Sequence, residues 1–403
     1  MLKGFMLFFS TCLATFLYYS NAEVWLAVLN LVMSVWLFNK FKQNSVVIIP
    51  FFLLAFSIYS VLVGRILFPL LAPALESVID NSLDALGLYI VWLFLIPLAY
   101  AKAREEIDCG HFGGPYELAG LGLIFVGSLL CYFGLDIESF HQTGRAHYAT
   151  FYEYAFILFM LGSFFLSSSS SSIKAGISLI IIALAFRDFY YGNRAPGLQF
   201  LFVVYIFFYR KYFTLSRFYV GVLIGFLMMG AIGSIRYVLN GNFTIVGLFG
   251  VLSEAFFIFD TGLFAFVSGQ TMVSTANMLG FDRISAITGL FANTLLGGGS
   301  ALDAYQIAGA FYTTIGGAWI PQMSYFYLGF PGVLSISVYI RYLLGLSYSN
   351  SRLKQLIYFY VIVSSPRWLL YSVTPLFRGL LITIVIYLMV DFVIRNIFIS
   401  GKK

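Results

Sequence analysis

Charge is the scarcest commodity in this 403-residue chain: Lys, Arg, Asp and Glu together make up 10% of it, while 61% is hydrophobic. Soluble domains carry roughly 25% charged residues, so the composition excludes a soluble enzyme and reads as an integral membrane protein. Histidine and cysteine are nearly absent. His111, His141 and His147 are the whole histidine complement, and Cys12, Cys109 and Cys131 stand apart without CxxC or metal-type spacing, which argues against a zinc centre or any other resident metal. No Gly-x-x-x-x-Gly-Lys segment and no Rossmann fingerprint occurs, so ATP hydrolysis and nicotinamide chemistry have no support and no cofactor is expected. The alternation of a β-barrel is missing too, and nothing marks a separate soluble domain or a nucleic-acid partner.

What is present is a succession of apolar runs that approach the roughly 20 residues of a spanning helix. They predict one all-α polytopic membrane domain over residues 1–403 with about twelve spans, at 4–20, 24–39, 45–64, 85–101, 117–134, 149–166, 173–187, 197–209, 218–235, 323–341, 355–372 and 379–398. The first run follows Lys3 and reads as a retained signal anchor, because the next begins directly at Val24. The seventh and eighth are short, and extending them puts Arg187, Tyr190 and Tyr191 at membrane depth.

Lysine and arginine accumulate in cytoplasmic loops. With a cytoplasmic N-terminus, all nine lysines and six arginines fall inside, and both termini are cytoplasmic. The outer side keeps Arg65, Arg145, Arg187, Arg194, Arg236, Arg283, Arg367 and Arg378, every one an arginine. Charge bias does not explain that preference. Arginine grips phosphate or carboxylate with two parallel hydrogen bonds, whereas lysine acts as a point charge. The outer arginines therefore serve a phosphate-bearing ligand or pair with outer acids such as Glu23, Asp84, Asp188 and Glu254.

The interval 237–322 has Arg283 as its one basic residue and is rich in Gly, Ala, Thr and Phe. It is too long for a structureless loop. Short helices of its own are expected, lying in the outer interface or re-entering the membrane where protein or a polar cavity covers them. The serine run 167–172 reads as a flexible turn, and Gly297–Ser300 as a tight turn or a backbone nest for an anion.

Ionisable groups at a membrane's edge are costly and suggest a functional site by default. The outer breaks hold several: Asp136 to Tyr148, with His141; RDFYYGNRAPG, Arg187 to Gly197; Arg236; and Arg367 and Arg378, bracketing Trp368, Tyr371 and Pro375. A lipid pyrophosphate donor would use such arginines. Its leaving group develops negative charge, which preorganised guanidinium groups stabilise best where water is excluded. Neighbouring aromatics either stack on sugar rings or simply populate the membrane interface.

Gly192-Asn193-Arg194-Ala195, just outside a span, resembles the GxR element of bacterial O-antigen polymerases, the Wzy-type oligosaccharide repeat-unit polymerases. The outer segment running from Gly316-Gly317 through Tyr325 to Gly329-Phe-Pro-Gly332, and Pro375-Leu-Phe-Arg378-Gly379 before the last run, are similar to that family as well. The resemblance covers most of the chain in layout, through short motifs. It implies a GT-C-like fold and a metal-independent glycosyltransferase of the bacterial inner membrane. Such an enzyme joins undecaprenyl-pyrophosphate-linked oligosaccharides on the periplasmic side during O-antigen and lipopolysaccharide synthesis. The lipid-linked oligosaccharide, membrane lipid and a chain-length regulator protein are the partners it implies. Pyrophosphate binding carries over to Arg194 and then Arg378, with Arg187, Arg236 and Arg283 added from their position in the chain. Asp303-Ala-Tyr305 follows the glycines where the family pattern has a glutamate, which leaves the catalytic base open among Asp188, Glu254 and His141. Asp188 reads equally as the partner that holds Arg187. Two other functions share these features. An O-antigen ligase, transferring glycan to lipid A-core, would use an outer histidine such as His141 or His147. A flippase for lipid-linked oligosaccharide would place charge along the membrane midplane.

Overall fold

The computed structural model describes residues 2–67, 83–104, 112–136, 147–148, 151–191, 194–225, 260–278, 280–296, 304–309 and 317–396. The helices are α1 (Leu2–Tyr19), α2 (Glu23–Phe41), α3 (Ile48–Val61), α4 (Asp84–Ala99), α5 (Gly114–Phe133), α6 (Tyr152–Phe165), α7 (Ser171–Tyr190), α8 (Arg194–Val204) and α9 (Leu215–Gly225). They continue as α10 (Asp260–Ala276), α11 (Arg283–Leu296), α12 (Ala304–Gly309), α13 (Ile320–Gly345), α14 (Arg352–Val363), α15 (Ser365–Leu370) and α16 (Leu380–Ile394). Wider π-helical turns extend α3 over Leu62–Leu67 and α8 over Tyr205–Tyr209, and a third, Pro375–Gly379, leads into α16. A two-residue antiparallel pairing, Leu135 with Tyr148 and Asp136 with His147, closes the connection between α5 and α6.

Each of the twelve apolar stretches contains helix, and five helical stretches are long and apolar enough to cross a membrane: Glu23–Phe41, Ile48–Leu67, Gly114–Phe133, Ile320–Tyr348 and Pro375–Ile394. Their outer faces explain the composition. Phe5, Phe8, Phe9 and Phe16 on α1, Phe125, Tyr132 and Phe133 on α5, and Met389 and Phe392 on α16 are exposed. A chain this apolar has no polar face to turn outward, and such surfaces suit hydrocarbon rather than water.

Close approach between helices comes from small residues. A Cβ on Gly162 of α6 would lie 2.8 Å from the Gly120 carbonyl oxygen of α5, and one on Gly127 would lie 3.1 Å from the Phe159 ring. That seam fixes the height at which the first turn of α6 stands beside the last turn of α5. At the opposite, lysine-rich end, Lys40 closes α4: its Nζ donates to the Ala99 and Ala101 carbonyls at 2.9 and 2.5 Å, a cation placed where the helix dipole is negative.

The interval 237–322 contributes α10, α11 and α12. α10 sits in the core against α3, α4 and α13, with Ser268, Gln270, Thr271 and Thr275 buried. Hydroxyls of Thr271 and Thr275 donate to carbonyls one turn back, at 2.6 and 2.8 Å, which lets a polar helix lie among apolar ones. α13 is broken at Gly329, whose φ of 66° and ψ of −154° no helix accommodates. Pro331 follows and brings no N–H. The break frees carbonyls that α11 then serves, as described below.

Candidate functional site

The first turn of α6 holds Tyr152 and Tyr154, two residues apart and so directed to different neighbours. Each takes an arginine. Tyr152 donates its hydroxyl to both carboxylate oxygens of Asp188, at 2.7 Å each, and accepts from Arg187 Nη2 at 2.8 Å. Arg187 also reaches Asp188 Oδ1 at 3.1 Å and gives Nη1 to the Cys131 carbonyl at 2.9 Å. These groups come from the ends of α5, α6 and α7. Asp188 is 0% exposed and Arg187 23%.

Tyr154 faces the other way and meets Arg378, whose Nη2 donates to the tyrosine hydroxyl and whose guanidinium lies 5.6 Å from the ring centroid. Arg378 belongs to the π-helical turn Pro375–Gly379. The turn is braced by Tyr360 of α14, which donates its hydroxyl to the Pro375 carbonyl at 2.7 Å and occupies the space a Cβ on Gly379 would need. Arg187 and Arg378, far apart in sequence, are thus both anchored on one turn of α6.

Arg194 opens α8, just past the end of α7. One turn on, a Cβ at Gly197 would lie 2.6 Å from the Phe189 ring, so α8 is pressed against the turn that carries Arg187 and Asp188. Backbone placement therefore brings Arg194 to the same corner.

Arg283 and Arg65 are engaged by other groups. Arg283 donates Nη1 to the Tyr325 and Phe326 carbonyls, at 2.7 and 3.0 Å, and Nη2 to the Ala276 carbonyl at 3.2 Å. Those first two carbonyls would otherwise accept the Gly329 and Phe330 N–H groups, four residues on, and the break in α13 removes that ladder. Arg65 is ion-paired to Asp84 at 2.9 Å with both side chains buried, and Gln270 joins them through Asp84 Oδ1 at 3.3 Å. Glu23 lies within electrostatic reach of that pair. Arg236, Glu254 and His141 lie outside the described residues, as do Arg145, Gly297–Ser300 and Asp303.

No family model, curated protein or solved structure matches the chain. Among the described residues no group of three His, Cys, Asp or Glu side chains could hold a metal ion.

Sequence reasoning missed Tyr152, Tyr154 and Tyr360. The first two stand in Tyr-Glu-Tyr at the edge of an apolar run, where tyrosine is enriched for interfacial reasons alone. Tyr360 did carry a signal. A phenol deep inside an apolar run needs a hydrogen-bond partner when buried, and here the partner is the carbonyl beside Arg378.

Proposed function

We propose that the chain is a metal-independent glycosyltransferase that polymerises undecaprenyl-pyrophosphate-linked oligosaccharide repeat units on the periplasmic side of the bacterial inner membrane, with the twelve apolar stretches as spans. The carrying observation is the anchoring of Arg187 and Arg378 on Tyr152 and Tyr154 in the first turn of α6, with the start of α8, at Arg194, packed near the turn that carries Arg187. Guanidinium groups held in advance at one end of the bundle suit a pyrophosphate leaving group. Its charge grows in the transition state, and donors already in place need no reorganisation. Arg194 and Arg378 bind the pyrophosphate, and Arg187 adds its charge from the rim.

Asp188 acts as the positioning partner in this scheme. A general base must come within hydrogen-bond reach of the attacking hydroxyl, and a carboxylate that is fully buried and held by Tyr152 and Arg187 is turned toward the protein. Activation of the acceptor hydroxyl then falls to His141 or Glu254.

The test supplies purified protein with lipid-linked repeat units alone, without a lipid A-core acceptor. Polymer longer than one unit is expected, and Arg194→Lys and Arg378→Lys should shorten it sharply at equal protein level, since lysine keeps the charge and loses the fork. No polymer from intact wild-type protein would overturn the reading and turn attention to a ligase or a flippase. Unchanged chain length in both lysine variants would remove the pyrophosphate role.

A further inference from the structure

Arg378 differs from Arg65, Arg187 and Arg283 in what it touches. Arg65 and Arg187 meet carboxylates, and Arg283 meets three carbonyls. Arg187 also meets a phenol, but Arg378 meets a phenol with no carboxylate or carbonyl beside it among the described residues. A guanidinium has no lone pair to offer, so in that contact Tyr154 accepts and its own O–H proton remains to be given. Among the described residues, no acceptor takes that proton and no acid faces Arg378. Two neighbouring groups thus both have donors to give, with no anion between them among the described residues.

We infer that Arg378 and Tyr154 together form the seat for one phosphate group, with Tyr154 Oη donating to the same anion that the guanidinium grips, and that Tyr360 is a positioning residue for the pair. The ligand class is a phosphate ester or anhydride dianion. Within the function proposed above it is one phosphate of the lipid pyrophosphate, and the assignment of Tyr154 rests on that reading for its biological ligand but not for its chemistry. The cradle explains why the pair is preformed. Tyr360 is buried on α14, donates to the Pro375 carbonyl, and fills the volume above Gly379, so its hydroxyl determines the path of the wider turn from which Arg378 projects. A wider helical turn of this kind is uncommon and occurs often at functional sites. Thr383 adds a second hold by donating to the Gly379 carbonyl at 2.7 Å.

The experiment measures binding separately from turnover. Full-length protein in lipid nanodiscs is titrated with inorganic pyrophosphate and, in a second arm, with undecaprenyl pyrophosphate. Tyr154→Phe keeps the ring beneath Arg378 and removes the donor. A hydrogen bond to a charged group corresponds to a loss of about ten- to a hundred-fold in affinity, and that weakening is expected in both arms. Tyr360→Phe is expected to weaken binding several-fold in protein that remains folded at the assay temperature. Its effect should vanish in the Tyr154→Phe, Arg378→Lys background, because it works through those two residues. Tighter binding of the lipid form identifies the lipid donor as ligand, and equal binding identifies the soluble anion; either supports the seat. Wild-type affinity in Tyr154→Phe overturns the inference, and a Tyr360→Phe effect of equal size in both backgrounds overturns its positioning role. The outcomes also separate the two readings. Anion binding with these dependences but no polymer leaves the seat standing and sinks the polymerase, while polymer with Tyr154→Phe indistinguishable from wild type does the reverse.

Discussion

Replacing Arg187 with leucine should be worse for the protein than replacing Arg187 and Asp188 together. Asp188 is 0% exposed and touches the guanidinium at 3.1 Å, so the single change strands a carboxylate away from water. Breaking a buried ion pair from one side costs about 3–5 kcal/mol. Arg187 is 23% exposed, which places the expected loss at the lower end, about 3 kcal/mol, against the 5–15 kcal/mol that holds a typical fold. Asp188→Leu alone leaves a partly solvated guanidinium still bonded to the Cys131 carbonyl and Tyr152. The loss there is about 1–3 kcal/mol, the penalty for an unsatisfied polar group. In the double variant no charge remains, and the Tyr152 hydroxyl and the Cys131 carbonyl each lose a partner, again about 1–3 kcal/mol. The double should therefore unfold at higher urea than Arg187→Leu and show a coupling of about 1–3 kcal/mol, in the range known for contacting residues. Urea unfolding in detergent micelles, followed by tryptophan fluorescence, measures all four proteins. A double variant as unstable as the two singles combined would refute the ion-pair argument. A Asp188→Asn variant that keeps its stability while losing chain extension about a hundredfold or more would return Asp188 to the role of base.

Arg283→Met should lower thermal stability by about 2–4 kcal/mol, since it leaves the Tyr325 and Phe326 carbonyls without donors inside the core; no loss would mean that water already serves the break in α13. Gly162→Val drives a side chain against the Gly120 carbonyl, and overpacking of this kind costs about 1–3 kcal/mol. Because α6 also carries Tyr152 and Tyr154, the same variant should weaken pyrophosphate binding, and normal binding would show that the seam and the site are independent. Asp282 caps the start of α11, accepting from the Ile284 and Ser285 amides and the Ser285 hydroxyl, and that hydroxyl is the main reason its carboxyl is held below the ordinary value of 3.8. A lowered carboxyl stabilises the folded helix fully above its unfolded value and ceases to do so as pH falls. Amide exchange in the first turn of α11, corrected for intrinsic rates, should therefore rise on acidification below 3.8 and stay flat above it; Ser285→Ala should move that onset upward.

The helices were legible because their signal is local. A run such as 117–134 needs only its own apolar length to announce a helix, and α5 spans Gly114–Phe133. α10 was harder. Ser268, Gln270, Thr271 and Thr275 make Asp260–Ala276 look too polar for the core, yet Thr271 and Thr275 satisfy themselves on their own backbone and Gln270 reaches Asp84. Nothing local reports that a partner 186 residues away will receive a side chain. The arginines divide in the same manner. That the outer breaks carry arginine and never lysine is visible along the sequence, but whether each arginine meets an acid, a carbonyl or a phenol depends on helices that join only in three dimensions. Arg283 and Arg378 look alike in sequence, and the break at Gly329 commits one while the turn at Pro375 presents the other.

Hanging Arg187 and Arg378 on Tyr152 and Tyr154 makes α6 a common axle for both. A shift of that helix carries the two guanidinium groups together, so their mutual spacing survives while their distance from anything held by other helices changes. Lesions along the α5–α6 seam should thus displace both guanidinium groups together relative to the other helices, which is how a distant Gly162→Val would weaken the hold on an anion without touching either arginine.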